Sequence, residues 1–144
     1  MPLVILAIGA TALLIWPVFR GLARGGLVND RYEPAARFLA ASGPADVDRW
    51  LLESRTEPVW IYLHDPHCPI SRAALHQVER TAHDFALVDV SRQQPISQAL
   101  AARTGVRHES PQVLLLTGGR AIWSASHDEI TRASIAHAAE AINA

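Results

Sequence analysis

The chain has 144 residues, 49% of them hydrophobic, and a formal net charge of −1. That length allows one compact domain of about 100 residues with an appendage and excludes two full domains. All thirteen basic residues are arginine and form no clustered nucleic-acid footprint, while a lone cysteine excludes an intrachain disulfide framework and a cysteine-rich metal cage.

Residues 3–19 (LVILAIGATALLIWPVF) form an uncharged apolar run followed by Arg20, Arg24 and Arg31. As a helix rising about 1.5 Å per residue it spans about 25 Å, the short end of a bilayer crossing. Residues 1–25 are therefore a candidate N-terminal apolar helix and membrane anchor. No basic segment precedes the run and no small-residue cleavage site follows it, which argues against a cleaved signal peptide. The downstream arginines would leave the C-terminal part in the cytoplasm, on the inner face of the membrane. The alternative is a start codon assigned too far upstream, since Met1 is the only methionine.

Residues 26–43 read as a linker with a short helix at its end, closed by Gly43 and Pro44. A domain over residues 44–144 follows. Val47, Trp50 and Leu51 share one face of a helix over 45–54, and residues 58–63 (PVWIYL) have the short apolar run of a buried strand. Pro69 suits the first position of the next helix, which is expected to continue from Ser71 to about Phe85, with Cys68 at its N-cap. Residues 86–90 read as a strand and 95–103 as a helix opened by Pro95 and closed by Gly105. Gly118-Gly119 joins two antiparallel strands, 112–117 and 120–125. A final helix over 127–143 presents Ile130, Ile135, Ala138 and Ile142 to the sheet. The order α-β-α-β-α-β-β-α fits the thioredoxin topology and also other α/β sandwiches. Trp50, Trp60 and Trp123 are expected in the core.

The chemistry concentrates at Cys68. The nucleophile of disulfide exchange is the thiolate, and the N–H groups and dipole of a helix N-terminus favour that form. His64 and His67 would add positive charge if protonated. Ser71, one helical turn on, stands where a dithiol oxidoreductase carries its resolving cysteine; its hydroxyl can donate to sulfur but cannot form a disulfide. A mixed disulfide on Cys68 must therefore be released by an external thiol. The bland alternative is a small buried thiol. His64, His67 and Cys68 together would close poorly around a metal, so no metal is expected.

Three segments, HCPIS at 67–71, VRHESPQVLLL at 106–116 and WSASH at 123–127, resemble the monothiol bacilliredoxin (YtxJ-type) family over about residues 44–137. The resemblance implies a thioredoxin-like fold, a central mixed sheet flanked by helices. It implies that Cys68, with Ser71, removes the low-molecular-weight thiol bacillithiol from S-thiolated client proteins, with no bound cofactor. It also implies that Pro111 is cis and faces Cys68, leaving the backbone near Ser110 free to pair with substrate, so that His67, Pro69, Ser110 and Pro111 are the substrate-binding positions. His108 and His127 are read as structural hydrogen-bonding residues. His67 departs from the small polar residue usual there, and the N-terminal segment lies outside the family pattern. The alanine- and arginine-rich composition points away from a low-GC bacillithiol producer, so glutathione is the alternative small thiol. Two other functions compete: a non-catalytic thioredoxin-like module that binds peptide at the Pro111 edge, and a thiol redox sensor.

Overall fold

A computed structural model describes residues 36–143; the apolar segment and most of the expected linker lie outside them. The elements run β1 (Arg37–Ala40), α1 (Ala45–Glu53), β2 (Val59–His64), α2 (Pro69–Glu79), β3 (Asp84–Asp89), α3 (Gln94–Thr104), β4 (Gln112–Thr117), β5 (Arg120–Ser126), a 3-10 turn (His127–Glu129) and α4 (Arg132–Ile142). They build one five-stranded mixed sheet in the order β1-β3-β2-β4-β5. β1, β3 and β2 are parallel, β4 runs antiparallel to β2, and β5 antiparallel to β4. This is the thioredoxin-like arrangement expected. Among the described residues no helix is long and apolar enough to cross a membrane.

The apolar runs of β2 and β4 need cover on both faces, and they have it. Trp60, Tyr62, Val113 and Leu115 pack with Ala74 and Val78 of α2 and Ile135 and Ala138 of α4. Ile61, Leu63, Leu114 and Leu116 face the other way, onto Val47 and Trp50 of α1 and Ile96 and Leu100 of α3. Trp50 and Trp60 are core residues, whereas Trp123 is half-buried and meets Trp60 edge-on at 6.0 Å.

The short helix expected at the end of the linker is replaced by β1, so the sheet begins before residue 44. The strand has no strong apolar pattern of its own. It is held in register by its neighbour: Arg37 forms a two-pronged ion pair with Asp84, its Nε donating at 2.8 Å, and the Phe38 and Phe85 rings stack at 6.0 Å. Two helix boundaries also differ from expectation. α2 stops at Glu79 because Thr81, buried, bonds the Val78 carbonyl through both its amide and its hydroxyl. The final helix starts twice, first at Ser126, capped with Glu129, and again at Thr131, capped with Ser134.

Both glycine signals act as expected. Gly105 caps α3 with φ of +72°, and Gly118 and Gly119 turn the hairpin with φ of +62° and +78°. Buried Ser54 pins that turn to the end of α1: its carbonyl accepts the Gly118 N–H and its hydroxyl oxygen the Gly119 N–H.

Candidate active site

One end of the sheet gathers all three sequence motifs. Leu63 of β2 lies opposite Gln112 of β4, and Gln112 lies opposite Ser126 of β5. The segments just beyond these three residues are the Cys68 turn, the Ser110–Pro111 loop and the His127 turn.

From His64 the chain turns through Asp65, whose carboxylate accepts the His67 N–H at 2.9 Å and whose carbonyl accepts the Cys68 N–H at 3.1 Å. Cys68 is the extended N-cap of α2, half-buried, with Pro69 at the first helical position. The expected bonds from first-turn N–H groups to sulfur are not formed: the Cys68 side chain accepts no capping hydrogen bond. What α2 brings to the sulfur is the positive end of its dipole.

Ser71 is fully buried, and its hydroxyl oxygen accepts the Asp65 N–H at 3.2 Å. It thus fixes the turn leading into Cys68, and no Ser71–Cys68 hydrogen bond occurs. Beneath them sits Tyr62, also fully buried, which donates to the Ser71 carbonyl at 2.8 Å. Burial pushes the Tyr62 phenol well above its ordinary range, with the negative charges of Glu79 and Cys68 adding to the effect. The phenol stays a proton donor throughout.

His64 packs beside that ring, its Nδ1 3.4 Å from the Tyr62 oxygen. Burial holds the His64 imidazole below its ordinary value, partly offset by Asp89 and Asp65. That shift disfavours a positive charge on the ring and so works against the cationic help to the sulfur expected from its sequence position. His67 is exposed on the turn.

The Ser110–Pro111 peptide is cis, as the family resemblance implied, and Pro111 is buried. The Ser110 amide and carbonyl enter no turn or ladder bond among the described residues, and the Ser110 hydroxyl is buried without a partner. The Pro111 carbonyl accepts the His127 N–H at 3.1 Å, while His127 Nδ1 lies 3.3 Å from Glu109 Oε2. His127 thus links its turn to the Ser110–Pro111 loop, on which His108 is exposed. Beside Pro69, a groove of about 490 Å³ runs between α2 and the His127–Thr131 segment, over Ile130 and Ala74. Among the described residues no three His, Cys, Asp or Glu side chains gather as a metal site.

The sequence reading did not single out Gln112, Glu109 or Tyr62. The one available signal was Gln112 itself, an amide at the head of a run that is otherwise apolar.

A family model described as monothiol bacilliredoxin BrxC matches residues 42–135. A solved structure described as a candidate oxidoreductase with a thioredoxin fold is 27% identical, covers 73% of this chain and 94% of its own, and superposes with a TM-score of 0.63. Thioredoxin from Trypanosoma brucei brucei (11% identity, 79% and 96% covered, TM-score 0.60) shares the fold. So does oxidised thioredoxin O2 from Arabidopsis thaliana (15% identity, 73% and 93% covered, TM-score 0.56).

Proposed function

Because the chain belongs to the monothiol bacilliredoxin family, we propose that it strips a low-molecular-weight thiol from protein mixed disulfides through Cys68. Family and fold together support a thiol oxidoreductase-like role. The observation that carries the finer reading is a half-buried Cys68 at the head of α2, with Ser71 rather than a second sulfur one turn on.

In the first step the Cys68 thiolate attacks the small-thiol sulfur of a client–S–S–R disulfide. The new Cys68–S–R bond forms, the old S–S bond breaks, and the client sulfur leaves as thiolate and takes a proton from solvent. Ser71 cannot displace R. A second small thiolate, R′–S⁻, therefore attacks the R sulfur, giving R–S–S–R′ and returning Cys68 as thiolate. In sum, client–S–S–R and R′–S⁻ give client–S⁻ and R–S–S–R′: the client sulfur is reduced, the R′ sulfur is oxidised to the same extent, and the R sulfur stays in a disulfide throughout. Ser110, with its amide and carbonyl outside the ladder, offers an edge on which an extended client segment can lie while this happens. The small thiol is bacillithiol or glutathione, and S-thiolated proteins are the partners.

The test is release of glutathione or bacillithiol from a thiolated protein, followed by intact mass. The wild-type chain is expected to gain one small-thiol adduct, and Cys68→Ser to gain none and to release none above background. Release by Cys68→Ser at the wild-type rate would overturn the reading.

A further inference from the structure

The amide of Gln112 has no part in the sulfur chemistry, yet it is 3% exposed at the end of the sheet nearest Cys68. A buried amide must find partners for two donors and one acceptor. Gln112 finds all three. Its Nε2 donates to the Arg107 carbonyl at 3.0 Å and to Ser126 Oγ at 3.4 Å, and its Oε1 accepts the Glu109 N–H at 3.4 Å.

These partners come from two segments, the loop that leads to Ser110–Pro111 and the end of β5 that leads to His127. The same segments are tied again by the His127 N–H to the Pro111 carbonyl and by the Glu109–His127 pair. His127 holds a left-handed backbone at φ of 54°, which a non-glycine residue keeps only where its surroundings fix it. The two segments are thus one braced rim, with Gln112 as its buried tie. The rim carries the open Ser110 backbone, and its His127 end faces Pro69 and Ile70 across the groove. No bond of the brace reaches Cys68.

We infer that Gln112 is a positioning residue that gives this site its preference for polypeptide mixed disulfides over small ones. It holds the rim on which a client backbone is laid, and a small disulfide can meet Cys68 without touching that rim. The inference rests on the reading of Cys68 as the de-thiolating sulfur.

The experiment uses the full chain with two probes, a glutathionylated carrier protein and oxidised glutathione, and follows transfer to Cys68 by intact mass. Gln112→Met keeps the side chain's length while removing all three hydrogen bonds. It is expected to slow transfer from the glutathionylated protein at least tenfold, through a higher KM, while the reaction with oxidised glutathione stays within twofold of wild type. Ser126→Ala removes one strut, together with the Ser126 cap on the His127 turn, without changing the buried side chain, and is expected to lower the protein reaction two- to threefold in the same selective way; it serves if Gln112→Met does not fold. Equal loss with both probes, or loss with neither, overturns the inference while leaving the reading of Cys68 standing. A wild-type chain inert toward the glutathionylated protein removes that reading and this one with it.

Discussion

His127 is the residue at which the backbone itself records a demand made by the site. Its φ of 54° lies in the left-handed region, where a Cβ atom costs about 1 kcal/mol. Removing the ring by substitution to glycine or to alanine loses the same Glu109 contact, but only alanine keeps the Cβ. His127→Gly is therefore expected to be more stable than His127→Ala by about 1 kcal/mol in chemical denaturation. Equal stabilities would mean that the turn relaxes to an ordinary backbone once the imidazole is gone. The place of Cys68 and Pro69 at the head of a helix was legible from sequence, and the cis Ser110–Pro111 peptide from the family resemblance. Gln112, Glu109 and Tyr62 were not, because their roles depend on partners that only the sheet register brings close. Tyr62 reads as one more apolar residue in a β-run until the Ser71 carbonyl is seen above it.

At the scale of elements, Gly105 ends α3 where the helix signal predicts, and its conformation is the reason. A Cβ placed there meets nothing within 4 Å, so the effect of Gly105→Ala is confined to backbone strain at φ of +72°. A loss of about 1 kcal/mol is expected, read as a shift in denaturation midpoint without change in slope. A loss of several kcal/mol would point instead to a contact that the open space around Gly105 does not hold. Strands β2, β4 and β5 were legible because two are buried on both faces and the third follows a Gly-Gly turn. β1 was hidden for the opposite reason: a short edge strand with Leu39 exposed carries no burial pattern. Its place is set by Asp84 and Phe85, which lie far along the chain.

For the molecule as a whole, the perturbed histidines and carboxylates act in one direction. Burial lowers His64 and His83 from the ordinary 6.5, and His83 stacks on Trp60 at 4.7 Å. The unfolded chain therefore binds protons first as pH falls, and stability that is complete above about 6.5 declines through the lower folded values. Asp46, Asp84 and Asp89 are held below 3.8 chiefly by hydrogen bonds from Arg49, Arg37 and Ser91, so their contribution is present above that value and is lost as pH drops through the folded ones. The thermal midpoint is expected to fall from pH 7 to pH 5 and further toward pH 3, with His83→Phe flattening the first decline. An unchanged midpoint between pH 7 and pH 5 would contradict this assignment.

β4 sits between β2 and β5 although it is made long after Cys68. Synthesis runs from the N-terminus, so on the ribosome the helix that carries the sulfur emerges while the Ser110 edge and the His127 turn do not yet exist. The rim that Gln112 ties together is therefore the last part of this end of the sheet to exist, completed only when the final hairpin pairs with β2.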